Sequence, residues 1–175
     1  MLRIESREMH SHNLPLVAVL WLPAALAALR RLPGVDARWA RLDPFSRGAL
    51  LAMAVAAAVH LALIPAHLRD LPTAVLFALD AAGLAAVGGA AILGMPYWRP
   101  AAALLLLGAV GSYAVYIASG REVLDLTGIA TKVDEVAGAE LLLLGHLART
   151  RLSQSLPSRP LWKPQRHVRD SPPVS

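Results

Sequence analysis

Long apolar runs alternate with short polar connections along the chain, and the runs have the lengths of membrane-spanning helices. A helix needs about 20 mostly apolar residues to cross the hydrocarbon core of a bilayer. Five runs approach this length, at residues 14–29, 49–68, 71–95, 100–119 and 129–148. The pattern predicts an all-α integral membrane helical bundle with five transmembrane helices.

The fifth run is the least apolar, and it leaves an alternative of four spans plus an interfacial helix. Lys132, Asp134 and Glu135 lie near its start, and Glu140 lies inside it. Taken alone, such a segment can lie in the membrane surface as an amphipathic helix. The distribution of charge along the rest of the chain favours five spans.

Most lysines and arginines follow the first, third and fifth runs, whereas residues 120–135 are rich in carboxylates. Basic loops stay in the cytoplasm, so five spans with an external N-terminus place the basic segments on one side. We therefore expect an external tail at 1–13, the bundle at 14–148 and a disordered basic cytoplasmic tail at 149–175, in a bacterial cytoplasmic (inner) membrane.

Composition agrees with a membrane protein: 56% of the residues are hydrophobic, 17% are charged and cysteine is absent. The lack of cysteine excludes disulfides, thiolate metal sites and cysteine nucleophiles. A net charge of +5 would suggest nucleic acid in a soluble protein. Here the charges are confined to loops and tails, so we expect no nucleic-acid partner. The expected partners are the lipid bilayer and, beyond it, other membrane subunits or a homo-oligomer.

Three ionisable residues fall inside apolar runs at a similar predicted depth. His60 precedes the turn at Asp70 by ten residues and Asp80 follows it by ten. A rise of 1.5 Å per residue puts both about 15 Å from that turn, near the bilayer midplane. Glu140 precedes Arg149 by nine residues and lies about 14 Å from the cytoplasmic side by the same rise. We expect His60, Asp80 and Glu140 to meet in one polar site.

The chemistry of this site is open among three interpretations. One histidine and two carboxylates suit a divalent transition metal, although the set is an incomplete coordination shell. The same groups suit a proton relay in a membrane. The plainest interpretation is that they only satisfy one another. Haem is disfavoured, because the other deep imidazole, His146, lies near the inner end of the fifth run.

A path from the outer surface toward His60 is predicted from three further residues. His67 lies two helical turns after His60 on the same face, close to the outer interface. Tyr113 and Tyr116 share a face in the outer half of the fourth run. These side chains are candidates for the lining of an access path.

Two function classes follow from these predictions. The first is a transporter or sensor of a metal ion or a proton, built on the His/Asp/Glu site. The alternative is an accessory or assembly subunit of a larger membrane complex with no chemistry of its own. A membrane-embedded enzyme is the least favoured class, because the sequence has no serine-hydrolase elbow, phosphate-binding loop or dinucleotide fingerprint.

The spacing His60-x6-His67-x2-Asp70 precedes an apolar helix, and the last run contains VAGAELLLL. In these features the chain resembles small multi-span membrane proteins of high-GC bacteria. The resemblance implies a multi-span helical bundle over residues 49–148. It implies no particular activity.

Overall fold

The computed structural model describes residues 20, 23–25, 27–28, 30–120 and 126–155, and the account below concerns these residues. They form helices and turns. A short helix, α1 (Val35–Arg41), precedes four long helices. These are α2 (Pro44–Leu63), α3 (Leu71–Leu93), α4 (Trp98–Ala118) and α5 (Leu126–Ser155), with a 3₁₀ turn at Ile64–His67 after α2.

Local sequence sets both ends of α2. The Asp43 carboxylate caps the helix by accepting a 2.9 Å hydrogen bond from the backbone N–H of Ser46, and Pro44 occupies the first turn. At the other end, Pro65 has no N–H to continue the α-helical ladder. The chain therefore changes to the 3₁₀ turn after Leu63, and Asp70 is the N-cap residue that precedes α3.

The four long helices form an antiparallel ring in chain order. α2 packs between α3 and α5, and α4 completes the ring by packing against the same two helices. The core consists mainly of small and aliphatic side chains together with Trp98, and Met53 and Leu106 are among the largest that are fully buried. We refer to the end of the ring near residue 43 as the Asp43 end, and to the end near residue 67 as the His67 end.

α5 buries one narrow face against this core. Its buried positions are 131, 135, 138, 142 and 145, which repeat at alternating steps of four and three residues. That spacing places side chains on one stripe of a helix. At Gly138 the helices approach closely, since a Cβ there would lie 3.1 Å from Ala52 Cβ and 3.1 Å from Leu106 Cδ1.

Three helical segments are long and apolar enough to cross a membrane, at Pro44–His67, Leu71–Leu93 and Trp98–Ala118. They correspond to the second, third and fourth predicted runs. α5 packs against α2 and α4 along the bundle. It is not among the three membrane-length segments, because it carries too many ionisable residues. The predicted first run and the 1–13 tail lie largely outside the described residues. α5 continues to Ser155, so the first part of the predicted 149–175 tail is helical, and the rest lies outside the described chain.

An ionic cluster joins three helices at the Asp43 end. Asp43 Oδ2 accepts hydrogen bonds from Ser46 Oγ at 2.7 Å, from Arg99 Nη2 at 3.1 Å and from Arg149 Nη1 at 3.4 Å. Burial alone would raise the pKa of Asp43. The two hydrogen bonds from Ser46 and the charges of Arg149 and Arg99 outweigh it and hold the pKa below its ordinary value. The cluster ties the ends of α2, α4 and α5 together.

This cluster predicts a pH-dependent contribution to stability. The native pKa of Asp43 lies below the ordinary 3.8, so the ionised carboxylate stabilises the fold at neutral pH, and this contribution disappears as the pH falls through the native pKa. Asp43→Asn keeps a capping oxygen and removes the charge. We expect it to lower stability in detergent by about 1 kcal/mol or less at neutral pH, with the difference vanishing in acid.

Thermal unfolding across the acid range measures this difference. Asp36→Asn, which changes an exposed carboxylate of α1, is the control. A difference between wild type and Asp43→Asn that stays constant into strong acid contradicts the prediction.

Candidate functional site

His60 lies at the centre of a buried polar group contributed by three helices. Its side chain is 3% exposed, on the last turns of α2. Asp80 Oδ2 of α3 lies 2.5 Å from His60 Nδ1, and Glu135 Oε1 of α5 lies 3.3 Å from His60 Nε2. Each ring nitrogen therefore faces a carboxylate from a different helix.

The contact between His60 and Asp80 is close but is not a well-formed hydrogen bond. Nδ1 and Oδ2 are both buried, and neither meets the angular requirements of a hydrogen bond with any partner. A strong N–H···O bond needs the hydrogen near the line between the two heavy atoms. The pair is therefore a close polar contact between two buried atoms, and it is ionic when His60 is protonated.

Glu135 is completely buried, and a lysine one turn earlier on α5 balances its charge. Lys132 Nζ lies 2.7 Å from each carboxylate oxygen of Glu135. The lysine side chain is 16% exposed, and its ammonium also lies 5.7 Å from the ring centroid of Tyr113 on α4. Asp80, His60, Glu135 and Lys132 thus form a continuous chain of contacts, which we call the buried network.

The buried network lies closer to the His67 end than to the Asp43 end. His60 is ten residues from Asp70 and seventeen from Asp43. At 1.5 Å per residue these separations are about 15 Å and about 25 Å. A cluster at this depth is beyond direct contact with either end of the ring.

The predicted partner Glu140 is not part of this group, and Glu135 takes its position. Glu140 is exposed on the outer face of α5 and lies in a shallow groove with Val133, Val136 and Ala137. Five residues separate Glu140 from Glu135, and this rotates the side chain by about 140° around the helix. The prediction relied on depth, which does not determine the direction in which a side chain points.

Glu135 and Lys132 were assigned to the outer start of the fifth run and were not predicted as site residues. Glu135 is identified by its place in a helical stripe of buried positions, which are spaced alternately by four and three residues at 131, 135, 138 and 142. The spacing of Lys132 and Glu135 is that of an ion pair on one helix. Hydropathy alone misses both signals, because the continuously apolar part of the fifth run begins only after Glu135.

A cavity of about 530 Å³ opens from the buried network toward the His67 end. His60, Asp80 and Lys132 contribute to its wall, and so do His67, Tyr113 and Tyr116, the residues predicted to line an access path. Phe77 lies between the two histidines, with its ring 5.4 Å from His60 in a stacked arrangement and 5.0 Å from His67 edge-on. The candidate path residues and the buried histidine therefore share one space.

Two kinds of chemistry suit this geometry. His60, Asp80 and Glu135 each offer a ligand atom, and these atoms lie within 4.8 Å of one another, which suits a metal ion. A histidine with a carboxylate at each nitrogen equally suits proton transfer, because imidazole can accept a proton on one side and donate from the other. Both options use the same side chains.

Comparison of the chain with family models, with curated proteins and with solved structures finds no match.

The contrast between Glu135 and Glu140 provides a matched pair of substitutions. Glu135→Gln leaves the Lys132 ammonium without its ionic partner, and we expect a loss of about 3 kcal/mol of stability, the range for breaking a buried ion pair. Glu140→Gln changes an exposed group on the same helix, and we expect no loss. Thermal or denaturant unfolding in detergent compares the two. Equal effects, or a larger loss for Glu140→Gln, would show that the assignment of the buried carboxylate is wrong.

Proposed function

We propose that this is a five-span bacterial inner-membrane protein, N-terminus outside, whose buried network takes up and releases a proton through the cavity. Its role would be proton-coupled transport or proton sensing. The observation that carries the proposal is His60, almost completely buried, with a carboxylate facing each ring nitrogen. Ionisable groups within membranes are costly and are commonly part of proton or ion pathways.

The charges of the network favour a proton. Asp80 and Glu135 contribute two negative charges, and Lys132 contributes one positive charge. Among these four residues, one negative charge therefore remains uncompensated when His60 is neutral. The half-buried carboxyl of Asp134, which is coupled electrostatically to Glu135, supplies no positive charge to offset it. A low-dielectric interior penalises such an excess, and a single proton on His60 removes it. The network therefore has a neutral state with the proton and an unfavourable charged state without it.

The same count of charges argues against a divalent metal ion bound in the network. A divalent cation added to Asp80, Glu135 and Lys132 leaves one positive charge in excess. Lys132 Nζ also lies close to both oxygens of Glu135, which a metal would need as ligands. A metal would therefore compete with the lysine for Glu135, whereas a proton on His60 would not.

Five crossings are supported by packing and charge together. α5 lies in the ring with three membrane-length helices, and its Glu135 carboxylate faces the buried network. With five spans the His67 end faces outside, and the arginines of the Asp43 cluster face the cytoplasm in agreement with the positive-inside rule. The cavity is then reached from the outer side.

A second candidate is a subunit of a larger membrane complex. The observation in its favour is the exposed carboxyl of Glu140 among Val133, Val136 and other apolar residues of the outer face of α5. A neighbouring subunit that donates a hydrogen bond would remove the cost of exposing this group to lipid. A larger protein that copurifies in fixed ratio in mild detergent, and is lost in Glu140→Leu, supports this candidate.

The protonation of His60 is the test of the proposed function. In protein labelled with ¹⁵N at histidine, we expect a doubly protonated imidazole signal that disappears in His60→Gln and persists in His146→Gln. The control changes an exposed histidine of α5. We also expect proton flux or proton-linked signalling in proteoliposomes to be lost in His60→Gln alone.

Two results would overturn the proposal. One is a His60 signal that stays neutral throughout the range in which the protein is folded. The other is a stoichiometric divalent metal in the purified protein that is lost in His60→Gln, which would assign the site to a metal.

A further inference from the structure

The cavity beside the buried network has the size and the walls of a site for a small organic molecule. Its volume of about 530 Å³ lies within the range of typical ligand pockets. The walls are largely apolar and include Leu63 of α2, Leu76 of α3 and Leu104 of α4. An occupant must therefore have an apolar body.

The Asp80 carboxylate forms the polar base of the cavity. Asp80 lines the cavity with 19% of its side chain exposed, while its Oδ2 is buried against His60 Nδ1. A positively charged or hydrogen-bond-donating group of the occupant would be stabilised at this point.

Aromatic rings line the space above this base. Phe77, Tyr113 and Tyr116 all contribute to the wall. The faces of such rings attract cations, and the ammonium of Lys132 already lies near the ring of Tyr113. The Asp80 carboxylate beside an aromatic wall favours positive charge.

Net charge limits the occupant further. Without a proton on His60, the network carries one negative charge in excess. A monovalent cation neutralises it, an anion doubles it, and a divalent cation reverses it. We propose that the cavity is a binding site for a monovalent, amphipathic organic cation whose charge lies against Asp80.

A consequence of this proposal rests on the proposed function. When His60 holds the compensating proton, entry of the cation makes that proton surplus, so one proton leaves as one cation binds. The charged groups around His60 are Asp80 on α3 and Glu135 and Lys132 on α5, and Asp134 on α5 is coupled to Glu135. His67 on the 3₁₀ turn and Tyr113 on α4 line the same cavity. The protein then exchanges a proton for an organic cation.

The experiment uses two probes of matched shape and opposite charge. Tetraphenylphosphonium and tetraphenylborate are titrated into the full-length protein in detergent by calorimetry, with detergent alone subtracted. We expect saturable binding of the phosphonium, at least tenfold weaker in Asp80→Asn and unchanged in Asp36→Asn. Equal binding of the borate, or phosphonium binding that Asp80→Asn leaves intact, overturns the proposal.

A second pair of variants keeps the test valid if Asp80→Asn does not fold. Gly108 of α4 lines the cavity, and nothing lies within 4 Å of a Cβ added there, so Gly108→Leu adds a bulky side chain to the wall and leaves the charged residues unchanged in sequence. Gly111 of the same helix has equal room but is not part of the wall. We expect Gly108→Leu to abolish phosphonium binding and Gly111→Leu to preserve it. The reverse pattern, or no difference, overturns the proposal.

Calorimetric titration of the phosphonium in buffers of different ionisation enthalpy measures how many protons are released on binding. This number separates the proposal of a cation site from the proposal of a proton on His60. Release of about one proton per bound cation supports both. Saturable, Asp80-dependent binding without proton release supports the cation site and contradicts the proton on His60.

Discussion

The structure depends on a carboxylate that has no contact with solvent. Glu135 is completely buried in a bundle whose neighbouring side chains are mostly apolar, so its charge must be compensated within the protein. Lys132 supplies an ammonium on one side, and His60 supplies a ring nitrogen on the other. Because Glu135 is on α5 and His60 is on α2, this compensation also determines which face of α5 turns toward the core.

Small residues let the helices come close enough for these contacts. Gly138, one turn after Glu135, lies directly against Ala52 of α2 and Leu106 of α4. A Cβ at this position would already require its neighbours to move by a few tenths of an ångström, because protein interiors leave little unfilled space. At the Asp43 end of the ring, the salt bridge between Arg149 and Asp43 also joins α5 to α2. α5 is thus positioned by a buried ion pair, a close helix contact and a terminal salt bridge.

Sequence patterns predicted the helices with the strongest apolar character and one of the two contacts of the site. The second, third and fourth runs correspond to α2, α3 and α4, although capping by Asp43 starts α2 several residues earlier than its apolar run. The equal distance of His60 and Asp80 from the turn at Asp70 predicted their meeting, because an antiparallel helix pair with a short turn keeps its register. α5 has no such short connection to α2, so depth alone could not distinguish Glu140 from Glu135.

The direct test of this account is which face of α5 touches α2. The chain has no cysteine, so a pair of introduced cysteines reports a single contact. A Cβ at Gly138 would lie 3.1 Å from Ala52 Cβ, close to the separation of about 3.8 Å in disulfides. We predict that mild oxidation crosslinks the double variant Ala52→Cys, Gly138→Cys and leaves Ala52→Cys, Ala137→Cys reduced. Crosslinking of the second pair and not the first would contradict the orientation that brings Glu135 to His60.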